Sequence, residues 1–148
     1  MGKHAIDATA RSKAPREVVW RLLADGRGWS TWGPWTEAEL EQEGSPSPDG
    51  VGAIKRLTRK PVTVREEVTL FEPPSRLVYR LLSGLPVRDY EGQVELSDTD
   101  DGTQIHWRSE FDAAPVIGTL LRWQLGRTMT DVAIRLAREA EDRTAARP

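Results

Sequence analysis

The sequence has no cysteine, which excludes disulfide frameworks, thiolate metal sites, CxxC redox pairs and cysteine nucleophiles together. Histidine is almost as scarce. His4 and His106 are the only imidazoles, too few for a multi-histidine metal centre. No apolar run approaches bilayer-spanning length. The opening Met-Gly-Lys-His-Ala-Ile-Asp lacks the apolar stretch of a secretory signal, and Ile6 stands where a myristoylation motif wants Ser or Thr. A soluble, cytoplasmic chain without stable membrane insertion is the expectation. An excess of one charge is also missing: 21 Lys and Arg oppose 23 Asp and Glu, for a formal net charge of -2. No broad cationic field is therefore available to drive nucleic-acid or anionic-membrane binding.

The catalytic signatures are missing too. There is no GxSxG, no P-loop, no HExxH and no GxGxxG. Asp98-Thr-Asp-Asp-Gly102 looks superficially like a calcium loop but lacks the twelve-residue ligand ladder and its terminal Glu. It reads as a hairpin turn, with a positive φ expected at Gly102. No metal and no nucleotide cofactor is expected.

What is present is a 148-residue chain, 38% hydrophobic and 30% charged, with the balance of one globular domain over 1–148. Six Trp outnumber two Tyr and two Phe together. Each indole buries a large area while keeping one N–H that needs a partner, so it suits half-wet cavities as well as cores.

Lys3 to Ser12 alternates and reads as a strand. Pro15 then opens a short amphipathic helix with Val18, Val19, Leu22 and Leu23 on one face, stopped by Asp25-Gly26. Trp29, Trp32 and Trp35 follow at spacing three, with Gly33-Pro34 breaking any helix before Trp35. Six strands are expected next, at 38–43, 52–59, 62–71, 77–83, 87–96 and 103–111, separated by Pro, Gly and Asp turns. Short connections favour an antiparallel meander. After Pro115, Ile117, Leu121, Leu125, Met129, Val132 and Leu136 step by three or four, predicting a long amphipathic helix before a frayed tail at 142–148. The result is an α+β order, β-α-α-β6-α, in which the long helix covers the apolar face of the sheet.

This order and four phrases resemble the START-like (SRPBCC) superfamily, in its polyketide cyclase/dehydrase and lipid transport branch. The phrases are Ala14-Pro-Arg-Glu-Val-Val-Trp-Arg-Leu-Leu23, the Trp29/Trp32/Trp35 segment, Glu67-Val-Thr-Leu-Phe-Glu-Pro-Pro-Ser-Arg-Leu77, and Asp101-Gly-Thr-Gln-Ile-His-Trp-Arg-Ser-Glu-Phe111. The resemblance implies a helix-grip fold, a curved antiparallel sheet around the C-terminal helix with a deep apolar cavity between them. It says little about reaction or ligand, because the shared phrases are turns and core positions.

Alternation nominates cavity residues. Trp107 points inward and His106 outward. Tyr79 and Tyr90 are the inward hydroxyls, and Gly92 is expected to leave a gap in the wall. Val62, Val64, Val68 and Leu70 select one face of their strand, and Glu66 falls on that face. Either the register holds and a carboxyl sits in an apolar enclosure with a raised pKa, or a bulge places it outside, or it pairs with Arg80 or Arg88. The Trp29, Trp32 and Trp35 cluster either caps the cavity mouth, with Trp32 and Trp35 as ligand contacts, or spends one or two of its rings sealing the two short helices onto the sheet, while Trp20 and Trp123 read as packing groups. Leu121 and Leu125 bound the cavity from the helix, with Gly118 and Gly126 leaving room beside them.

Three functions fit. A carrier would hold a small hydrophobic, lipid-like or aromatic molecule. An aromatase/cyclase would fold a poly-β-ketone, with Glu66, Tyr79 or Tyr90 moving protons. An interaction module would hold no ligand. Nothing in the sequence decides between monomer and dimer.

Overall fold

The computed structural model describes residues 2–146. Strand β1 (Gly2–Ser12) leads into α1 (Arg16–Ala24), a 3-10 turn (Gly26–Gly28) and the single-turn α2 (Trp29–Trp32). Six strands follow: β2 (Glu37–Gln42), β3 (Ile54–Arg59), β4 (Val62–Glu72), β5 (Arg76–Ser83), β6 (Arg88–Thr99) and β7 (Gly102–Ala113). Helix α3 (Pro115–Ala145) closes the chain. The expected fold class is observed. One seven-stranded antiparallel sheet, in the order β1-β7-β6-β5-β4-β3-β2, curves around the long helix. Pro115 sits in the first helical turn of α3, where its missing N–H leaves no bond unmade. The helix runs on through Ala145, so residues 142–145 are not the frayed tail expected of them, and 147–148 lie outside the described residues.

The second half of α3 anchors the fold. Val132, Ala133, Leu136, Ala137 and Ala140 are buried where α3 packs on β1, which presents Ile6, Ala8 and Ala10. Small side chains on both elements let the backbones approach, and the Ser12 hydroxyl donates to the Ala137 carbonyl at 2.8 Å. Val94, Ile105 and Phe111 extend this core across the sheet. Each such side chain contributes about 1.5–3 kcal/mol by leaving water.

Three sequence expectations are corrected here. A register shift between Val68 and Leu70 turns β4 over, so Phe71 rather than Leu70 packs inward, edge-on to Trp20 with ring centroids 5.2 Å apart. Gly102 does not have a positive φ; a side chain there would collide with the Ser12 carbonyl, so close approach to the end of β1 is what demands glycine. Gly118 leaves no free space either, because the His4 ring fills it.

Candidate functional site

Whereas the second half of α3 lies on β1, its first half stands over the concave sheet without filling the space beneath. An open cavity of about 860 Å³ remains between them. Leu121 and Leu125 border it from the helix, and Val64, Glu66, Tyr79, Tyr90 and Trp107 from the sheet. Trp35 reaches its wall, as does Trp29 beneath it. Trp32 does not; it is buried against Trp29, with ring centroids 5.5 Å apart. Trp123, expected to pack, is instead exposed beside the mouth, with the Arg127 guanidinium 5.0 Å over its ring.

The tryptophan segment is shaped by Gly33. It ends α2 with its N–H on the Trp29 carbonyl at 2.7 Å, and a side chain there would strike the Trp35 ring. Trp35 thereby folds back to 5.3 Å from Trp29, which itself meets Trp107 at 5.7 Å. The Trp29 N–H donates to the Leu23 carbonyl at 2.9 Å, fixing the ring to the end of α1.

Glu66 is inside, 8% exposed: the β4–β5 register shifts both between Arg65 and Glu66 and between Val68 and Leu70, and Glu66 stays on the buried face between the two shifts. Its partner is neither Arg80, which binds Glu67, nor Arg88. The partner is Lys55 of β3, directly opposite in register, with Nζ 3.8 Å from Oε1. Lys55 is 4% exposed and holds its ammonium 4.1 Å over the Trp29 ring. Sequence reasoning missed it, although Ala53, Lys55 and Leu57 alternate on one face and the two apolar neighbours mark that face as buried.

Burial pushes the Glu66 carboxyl above its ordinary range, and the Lys55 charge opposes that shift. Burial pushes the Lys55 amine down, opposed by Glu66 and by Asp49. Desolvation thus drives both groups toward their neutral forms, and each moderates the other. At 3.8 Å the ammonium is beyond hydrogen-bond reach, and Glu66 Oε1 has no donor among the described residues.

The hydroxyls gather in one cross-strand row. Tyr79, Gly92 and Ser109 are neighbours across β5, β6 and β7. Gly92 leaves no gap: the Tyr79 ring lies over it, where any Cβ would collide. From there the Tyr79 hydroxyl accepts from Trp107 Nε1 at 2.9 Å, while the Tyr90 hydroxyl donates to Ser109 Oγ at 3.0 Å. Burial raises both phenols, Tyr90 to about 12 and Tyr79 well above its usual value, with the Glu66 carboxylate adding to each. The cavity therefore carries one carboxyl and two protonated phenols among Trp, Leu and Val side chains, with Arg59, Lys60, Gln124, Arg127 and Thr128 also on its lining. No cluster of metal-ligating side chains exists among the described residues, and no described helix is long and apolar enough to cross a membrane.

Polyketide cyclase / dehydrase and lipid transport proteins match the sequence over residues 3–141. The chain belongs to that family. Its fold is that of the SRPBCC superfamily, and the Zhui aromatase/cyclase of Streptomyces sp. R1128 is similar, with TM-score 0.82 and 21% identity over 98% of each chain. Ara h 8.0201 is similar with TM-score 0.77 and 14% identity, over 95% of this chain and 99% of that one. The di-domain ARO/CYC StfQ from the steffimycin biosynthetic pathway matches with TM-score 0.80 and 14% identity, over 97% of this chain and 52% of that one. At these identities the likeness to solved structures is one of fold. No curated protein matches the sequence.

Proposed function

We propose that this polyketide cyclase/dehydrase and lipid transport family member binds a small hydrophobic molecule, lipid-like or aromatic, between the sheet and the first half of α3. The observation that carries this reading is the Glu66 carboxyl, buried on the wall of the 860 Å³ cavity with Oε1 lacking a donor among the described residues. Buried polar groups are hydrogen-bonded as a rule. A phenolic or enolic hydroxyl of the ligand supplies that bond, while Trp35, Trp107, Leu121 and Leu125 cover its apolar body. Tyr79 and Tyr90, both protonated at neutral pH, add polar contacts along the same wall.

A second reading, polyketide aromatase/cyclase, is favoured by Glu66, Tyr79 and Tyr90 lining one cavity. In an intramolecular aldol closure a carboxylate takes a proton from a methylene and a phenol protonates the carbonyl oxygen. The aromatase/cyclase neighbours named above support this reading at the level of fold.

Native mass spectrometry of protein purified from its own source tests the binding reading. A non-covalent adduct of small-molecule mass is expected. Protein free of any adduct, combined with no enhancement of 8-anilinonaphthalene-1-sulfonate fluorescence, overturns it. Glu66→Gln separates the two readings, since it weakens a carrier moderately but removes a cyclase's base.

A further inference from the structure

The first half of α3 is apolar on both sides. Leu121 and Leu125 face the cavity, yet Val116, Leu120 and Trp123 form a second stripe at helical spacing and are 83%, 62% and 61% exposed. An apolar stripe on a helix is ordinarily turned toward a core, and nothing among the described residues covers this second one, which leaves Val116, Leu120 and Trp123 exposed.

The charges around this stripe have one sign. From Pro115 to Thr130 the helix carries Arg122 and Arg127 and no acid, while acids return at Asp131, Glu139, Glu141 and Asp142. The β3–β4 turn brings Arg59, Lys60 and Pro61 to the same cavity mouth, and the β5–β6 loop brings Leu85 and Pro86. Among the described residues, the sole carboxylate on the cavity lining is Glu66, deep inside. No ion pair among the described residues engages Arg59, Lys60, Arg122 or Arg127. A chain of net charge -2 thus presents a local cationic rim around exposed aliphatic and indole side chains.

We propose that this rim, the outer stripe of α3 with the two adjoining loops, docks peripherally on an anionic lipid surface. Exposed Trp and Leu flanked by Arg and Lys match what interfacial helices present to headgroups and acyl chains. A second copy fits poorly, because a two-fold contact would set Arg59, Lys60, Arg122 and Arg127 against their own duplicates. An acidic protein would satisfy the charges, but Val116 and Leu120 project from a convex helix and need a surface that yields around them. Docking there would place the cavity mouth against the acyl layer. The inference stands on the outer surface and does not depend on what the cavity holds.

Co-sedimentation with vesicles tests it. Binding to phosphatidylcholine mixed with phosphatidylglycerol is expected, with much weaker binding to phosphatidylcholine alone and loss at high salt. Val116→Glu/Leu120→Glu, two positions outside the cavity lining, should weaken vesicle binding at least about tenfold. The melting temperature and the uptake of anilinonaphthalenesulfonate in lipid-free solution should not change. Arg59→Gln/Lys60→Gln should flatten the salt dependence. Equal binding to both vesicle types, undiminished binding by the double Glu variant, or no binding at all overturns the proposal. So does a solution dimer that the double Glu variant dissolves, which would assign the face to a second copy, or capture of an acidic protein without vesicle binding.

Discussion

Lys55 and Glu66 oppose each other in register across β3 and β4, with Nζ 3.8 Å from Oε1 and 4.1 Å over the Trp29 ring. Removing one partner of a buried pair strands the other charge, at a cost of about 3–5 kcal/mol. Lys55→Met should therefore destabilise the protein by about that much at neutral pH, read from urea unfolding. The sign of its pH dependence follows from Glu66, whose carboxyl is already raised by burial and rises further without the ammonium. Stability from a raised carboxyl is present below the unfolded value of about 4.3 and lost as pH rises through the folded value. The deficit of Lys55→Met should accordingly be smaller at about pH 4 than at about pH 8, and Lys55→Met/Glu66→Gln should recover most of it. A deficit below about 1 kcal/mol that ignores pH would mean that water reaches the pair.

Both tyrosines of the chain are buried in the hydroxyl row, so the phenolic absorbance near 295 nm reports on that row alone. With Tyr90 raised to about 12 and Tyr79 well above its usual value, the native protein should show almost no phenolate band up to about pH 10.5, where a free phenol is already mostly ionised. Urea-unfolded protein should titrate near the ordinary tyrosine value of about 10. For raised groups, stability is full below that unfolded value and lost as pH climbs through the folded ones, so alkaline unfolding and phenolate absorbance should appear together. A native titration centred near pH 10 would place these hydroxyls in water.

Why some of this was legible in sequence and some not comes down to what alternation encodes. Period two places Glu66, Tyr79, Tyr90 and Trp107 on the inner face, because one face of each strand is apolar. It says nothing about reach across strands. That is why Gly92 reads as a gap when it is the floor beneath the Tyr79 ring, and why Glu66 was offered Arg80 or Arg88 instead of Lys55. The bulge after Val68 breaks the period without any glycine to announce it. On α3 the inner stripe was visible, but Trp123 looked like packing because helical spacing does not show how far a sheet extends beneath a helix. The even overall charge likewise hides a first half of α3 with two arginines and no acid beside a second half in which four acids face three arginines.

Gly92→Ala should destabilise by about 1–3 kcal/mol, because the new methyl meets the Tyr79 ring and forces it off Trp107. The ring causes the clash, not the hydroxyl alone, since both Cζ and Cε2 of Tyr79 lie in the way. In a Tyr79→Val background the same substitution should cost little, a non-additivity that thermal unfolding of the four proteins measures directly. Equal costs in both backgrounds would show that Gly92 is required for its backbone instead.

Leu125→Trp distinguishes a cavity that takes a guest from one that the protein closes upon itself. Leu125 is half-buried on α3 and borders the open volume of about 860 Å³, so an indole there has room to enter. Overpacking a filled core costs about 1–3 kcal/mol, whereas filling empty apolar space costs little or stabilises. We expect a melting temperature close to that of the parent protein together with at least about a tenfold loss of anilinonaphthalenesulfonate affinity, since the added ring occupies the guest's volume. A destabilised variant with unaltered probe binding would mean that the space under α3 closes in solution. The carrier and cyclase readings would then both yield to an interaction module, whose partner would meet the outside of the fold.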